Sequence, residues 1–182
     1  MFNRSLLLAL MAAASSAAAQ VTSSVQTIAL TAVKSQSVTL SAPSPGTQSV
    51  TLVDGALNEF ATTFSSTVNW SVNNSSSTTV KLVAYFANPA QALANGSDYL
   101  PSSLIEASTD GGSTWHALTS AAVGGVGASG GSFVLYTSPP TNGTARNGSE
   151  AVSFKLRINL TGGGSTYSGS YSGTLTLTAI CN

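Results

Sequence analysis

The chain has 182 residues, enough for one domain of ordinary size with a real hydrophobic core. Six Lys+Arg balance six Asp+Glu, so no basic field exists to attract nucleic acid or an anionic membrane surface. One Cys and one His exclude a disulfide-stapled minidomain and a multi-His or Cys-rich metal site, and 42% hydrophobic residues are too many for a disordered linker.

In chain order, Met1 to Ala19 reads as a secretory signal peptide. Arg4 supplies the positive start, Leu6 to Ala14 the apolar stretch, and Ala17 and Ala19 the small residues at −3 and −1. Cleavage is expected before Gln20. The apolar run is too short to span a bilayer core of about 30 Å, and no membrane span is expected after leader removal. Residues 20–182 are expected to form a single β-sandwich domain, secreted, periplasmic or at the cell surface.

Period-two alternation dominates the mature chain. Ile28, Leu30 and Ala32 predict a first strand, and Val38, Leu40 and Ala42 a second, ended by the turn Pro43-Ser44-Pro45-Gly46. Val50 and Leu52 predict a third, stopping at Asp54-Gly55. Val68, Trp70 and Val72 form another, with Trp70 on the core face, closed by the polar run Asn73 to Ser77. Val80, Leu82, Ala84 and Phe86 share one face; Lys81, Val83 and Tyr85 take the other. Phe133 and Leu135 mark a short strand. Val152 to Leu160 is the cleanest, with five apolar residues on one face and Lys155, Arg157 and Asn159 opposite. Leu175, Leu177 and Ala179 end the chain, and the same alternation places Cys181 inward as a buried free thiol; an intermolecular disulfide or a reactive thiol at a frayed end is the alternative.

Helix signals are few. Asn88 can cap, Pro89 fits the first helical position, and Asn95-Gly96 can terminate, which predicts a connector of about two turns. Gly124 to Gly131 is expected to be a mobile loop, and Gly162-Gly163-Gly164 to join the last two long strands. Parallel strands would need crossover helices, which are missing. The expected fold is all-β: an antiparallel two-sheet immunoglobulin-like sandwich of about 8–10 strands with one short connector helix.

Ser108-Thr109-Asp110-Gly111-Gly112-Ser113-Thr114-Trp115 fits the pattern S-x-D-x-G-x-T-W. It resembles the Asp-box, a hairpin motif of sialidase-type propellers and other secreted β proteins. The match covers eight residues and occurs once. The physics of the turn is plain without the family. Asp110 can bond backbone N–H groups, Gly111 or Gly112 accepts positive φ, and Trp115 packs under the returning strand. Asp110, Gly112 and Trp115 are therefore structural turn residues. The resemblance implies the same, since the catalytic acids, Tyr and Arg cluster of that family lie elsewhere and have no counterpart here.

No catalytic residue stands out. A general base needs a nucleophile or substrate proton in reach, and Ser is so common in this chain that a Ser near His116 would mean nothing. The six acids fall mostly at turns, apart from Glu106 in a predicted strand, and do not pair as a glycosidase requires or cluster as calcium requires. No enzyme activity, cofactor or metal is expected. Tyr167 and Tyr171 are candidate surface aromatics for stacking on a sugar.

The closing stretch Tyr167 to Ala179, with Gly173-Thr174-Leu175-Thr176-Leu177-Thr178, resembles the terminal strand of bacterial pilin-like and spore-coat-U-like surface domains. The stretch Val80 to Leu93 is similar to secreted β-sandwich proteins of environmental bacteria. Together these cover 27 of the 182 residues. The chain departs from chaperone–usher pilins in having one Cys, which occupies the penultimate place usually held by Tyr. The resemblance implies a non-enzymatic structural or adhesive protein, a subunit of a surface fibre or coat; a carbohydrate-binding module is the alternative. The alternation through Gln26 to Leu40 suits a strand offered to a neighbouring sheet and suits an ordinary first strand equally. Few Lys guard the strand edges, so self-association or docking of a protein partner through a sheet edge is expected, at the N-terminal strand or the strand ending at Cys181.

Overall fold

β10 (Asn147–Asn159) organises the larger of two packed sheets. The computed structural model describes residues 28–32, 34–72, 78–141, 146–162 and 166–182. The expected leader, the polar run 73–77 and Gly163-Gly164 lie outside these. The chain falls into two units, residues 1–33 and 34–182. In the first, residues 28–32 form no strand, and Ile28 and Leu30 are 85% and 90% exposed. The strand expected there is thus absent, because alternation alone supplies no neighbour to pair with.

The second unit is all-β and antiparallel. Its larger sheet includes β1 (Ser37–Leu40), β2 (Leu57–Glu59) and β3 (Phe64–Ser71). β10 pairs β3 through residues 147–154 and then β2 through residues 157–159. On its other side it pairs β7 (Ile105–Ser108), which carries β8 (His116–Ala117). β1 pairs the outer side of β3. The second sheet holds β4 (Val80–Tyr85) between β9 (Ser132–Thr137) and β11 (Thr176–Cys181). A small hairpin, β5 (Leu93–Asn95) and β6 (Asp98–Leu100), stands apart.

The core forms where the two inner faces meet. Val68, Val152, Phe154, Leu156, Ile158 and Leu160 come from the larger sheet; Val80, Leu82, Ala84, Phe86 and Leu135 come from the smaller. This is the sandwich that alternation requires: one face buried, one wet. Trp70 is on the inner face, half-buried against the core beside Tyr136. The outward face of β10 is satisfied by ion pairs: Lys155 Nζ reaches Glu59 at 2.7 Å and Arg157 Nε reaches Glu106 at 2.5 Å.

Three local expectations differ. Asn88 to Gly96 is not a two-turn helix. Only Pro89–Gln91 turns, as a 3-10 segment, and Asn88 makes no side-chain cap. Gly96 instead opens the two-residue turn between paired Asn95 and Asp98, the hairpin use of the same Asn-Gly signal. A second 3-10 segment, Ser102–Leu104, leads into β7. The Gly-rich stretch is a built element. Gly124 and Gly125 take φ of 57° and 79° between bridged Val123 and Val126, the conformation of a tight hairpin turn open to glycine. That turn closes on the outward face of β11, where a Cβ on Gly124 would lie 2.9 Å from Ile180. Finally, Val50 and Leu52 are half-buried against the core, but residues 47–52 join no ladder. No strand edge among the described residues pairs with them, so the predicted third strand does not form.

Burial sets the cost of change along β10. Leu156→Ala removes a buried core side chain and is expected to cost roughly 2–5 kcal/mol in chemical denaturation. Lys155→Ala, which loses a half-exposed ion pair, is expected to cost at most about 1 kcal/mol. Equal losses at both positions would mean that the register of β10 is wrong.

Candidate functional site

The Asp110 hairpin links β7 to β8 and is closed by its own side chains. Asp110 Oδ1 accepts hydrogen bonds from Ser108 Oγ (2.7 Å), the Ser113 N–H (3.0 Å) and the Thr114 N–H (2.9 Å). Thr114 Oγ1 donates to Asp110 Oδ2. The Gly112 N–H donates to Ser108 Oγ at 2.8 Å, and Trp115 Nε1 donates to the Gly112 carbonyl at 2.9 Å. Gly111 and Gly112 both have positive φ, 76° and 101°. The Thr114 hydroxyl, followed by the other donors, holds the Asp110 carboxyl well below the usual carboxylate range. With four donors aimed at it, this carboxylate is occupied in forming the turn.

The hairpin is tied to the outward face of the larger sheet. The Arg157 guanidinium lies 4.3 Å from the centroid of the Trp115 ring, a cation–π contact. Glu106 accepts from Arg157 Nε and, at 2.9 Å, from Asn159 Nδ2. Trp115, Arg157, Glu106 and Asn159 are thus one cluster. Spacing along the chain did not show it, because its members meet across strands; the outward parity of Arg157 and Asn159 was the one available sign.

The other candidate residues are dispersed. His116 is exposed and stacks on Phe133, ring centroids 5.4 Å apart. Cys181 pairs in register with inward Val80, is partly buried, and its thiol is pushed up by burial. Among the described residues, no three His, Cys, Asp or Glu side chains group closely enough to hold a metal ion. Also among the described residues, no helix is long and apolar enough to cross a membrane.

A cleft of about 950 Å³ is lined by residues of both sheets. Phe86, Phe154, Leu156 and Ile158 form its floor. One wall is the unladdered segment 47–52; the other runs from Tyr167 to Leu177. Each wall is pinned. Asn58 Oδ1 accepts the Val53 N–H at 2.7 Å, and Ser44 bridges Ser65. Asp54 Oδ1 accepts from both the N–H and the hydroxyl of Thr166, while Ser172 bridges Ala94. Tyr167 and Tyr171 come together at this cleft: the Tyr167 N–H donates to Tyr171 Oη at 3.1 Å, and Tyr167 is 71% exposed. No family model, curated protein or solved structure matches this chain.

A carboxyl whose pKa is lowered by folding stabilises the fold above its ordinary value of about 3.9 and loses that contribution as the pH falls below it. The Ser113 and Thr114 amides are therefore expected to lose hydrogen-exchange protection in acid, below the usual carboxylate range. Asp110→Ala is expected to lower thermal stability and to remove this acid-sensitive protection at any pH. A stable Asp110→Ala protein that had lost a ligand would contradict the turn role.

Proposed function

We infer that this is an exported, non-enzymatic β-sandwich protein of structural or adhesive type, a fibre or coat subunit that associates through a sheet edge. The observation that supports this reading is the end of the second sheet. Among the described residues β11 pairs only with β4, and beyond Leu175 and Leu177 the sandwich is open as a cleft reaching core side chains. An open edge beside apolar surface favours addition of another strand. The neutral, Ser- and Thr-rich chain offers little charge repulsion between copies. Sedimentation of the chain from Gln20 onward is expected to show concentration-dependent oligomers. A protein that stays monomeric at high concentration would remove the reading.

A second reading, carbohydrate binding, is favoured by the placement of exposed Tyr167 next to Tyr171 at the cleft, among hydroxyl side chains. On this reading Tyr167→Ala weakens retention on a neutral polysaccharide matrix without changing the oligomeric state. Unchanged retention counts against it.

A further inference from the structure

We propose that the cleft binds one uncharged single-chain amphiphile, a hydrocarbon chain carrying a hydroxyl-bearing head. This goes beyond the fibre reading and competes with the sugar reading for the same cleft. Both walls are layered. On one, Val50 and Leu52 are half-buried against the core while Ser49 and Thr51 are exposed; on the other, Leu175 and Leu177 are half-buried while Ser170 and Thr174 are exposed. Apolar side chains thus line the depth of the cleft and hydroxyls its rim. The half-buried apolar side chains stay partly wet in the free protein, and a hydrocarbon chain lying on them removes that surface from water. The rim hydroxyls of Ser49, Thr51, Ser170 and Thr174 bond no other described residue, so each can donate to and accept from a head group.

Size and closure suit one chain. A volume of about 950 Å³ lies near the top of the range of about 300–1,000 Å³ usual for small-molecule sites. Segment 47–52 spans at most about 20 Å at about 3.4 Å per residue. A bilayer core of about 30 Å is two chains thick, so one chain takes about 15 Å. Asp54 Oδ1 accepts from Thr166 and joins the walls at one end; toward the other, β1 lies alongside β11. A ligand of finite length fits between these ends, and a polymer threaded through does not. The second wall is held from behind, where Ser172 bridges Ala94 and the Ala92 carbonyl leaves no room for a Cβ on Gly173. Charge selects the head. Among the described lining residues there is no Lys, Arg or His, and the one Asp or Glu, Asp54, is bonded to Thr166. A carboxylate or phosphate head would leave water here without a counter-charge, whereas a hydroxyl head regains its hydrogen bonds from the rim.

Titration calorimetry of the chain from Gln20 onward with monolauroylglycerol, kept below its critical micelle concentration, tests this. Saturable binding of one molecule per chain is expected, with the laurate anion binding at least about tenfold more weakly. The N–H groups of residues 47–52 have no backbone partner among the described residues, and hydrogen exchange on the unaltered chain is expected to show new protection there and around residues 170–177 when monolauroylglycerol binds. Val50→Asp puts a charge in the apolar layer and is expected to abolish that binding. Thr51→Arg puts a cation on the exposed rim and is expected to strengthen laurate binding about tenfold, the size of one charge-assisted hydrogen bond. A misfolded protein gains no affinity, so the Thr51→Arg arm stands even where Val50→Asp fails to fold. The proposal falls if monolauroylglycerol does not bind saturably, if it binds without protecting those residues, if laurate binds as tightly, or if Thr51→Arg leaves laurate unchanged. It falls equally if soluble cellohexaose protects the same residues and displaces monolauroylglycerol, which would give the cleft to the sugar reading.

Discussion

β10 gives one edge to β3 and then to β2, and the other edge to β7. Among the described residues, β1 and β8 reach the sheet only through β3 and β7. Thirteen residues therefore hold the larger sheet together. Their alternation is what lets them do so. Val152, Phe154, Leu156 and Ile158 stay in the core while Lys155, Arg157 and Asn159 meet Glu59 and Glu106 outside. A one-residue slip would exchange the two faces, burying three polar side chains and exposing four apolar ones. The register is fixed by that penalty.

The same strand joins the turn to the sheet. Asp110 shapes the hairpin from within, and Arg157 on β10 holds Trp115 from outside. The hairpin is thus rigid on two counts. Elsewhere, segment 47–52 and the stretch from Tyr167 to Leu177 are fixed at points along their length and leave a gap between them. A turn closed by its own side chains and an open cleft distinguish these two regions of the sandwich.

Where one face is buried, the sequence was legible. β1, β3, β4, β9, β10 and β11 all fall on alternating stretches, and Trp70 faces the core as its flanking valines implied. Alternation failed where pairing depends on a distant partner. Residues 28–32 and 50–52 have the pattern without the ladder, and the three-residue strands β2, β5 and β6 have the ladder with too little pattern. Asn95-Gly96 misled because one signal serves both a helix end and a hairpin turn. Of the candidate site, Asp110, Gly112 and Trp115 could be read because their bonds are local. The cleft could not, since its floor and walls come from segments more than a hundred residues apart.

The placement of the few cations has a consequence for digestion. Among the described residues, the basic side chains are Lys34, Lys81, Arg146, Lys155 and Arg157. Lys81, Lys155 and Arg157 lie inside strands paired on both sides. A protease must draw an extended stretch of backbone into its own site, so such bonds are cut only after the sheet opens. That leaves Lys34, just before β1, and Arg146, just before β10, as the cleavage points of the folded unit. A trypsin-like enzyme therefore parts the sandwich between β9 and β10, into residues 35–146 and 147–182, and leaves each piece uncut within.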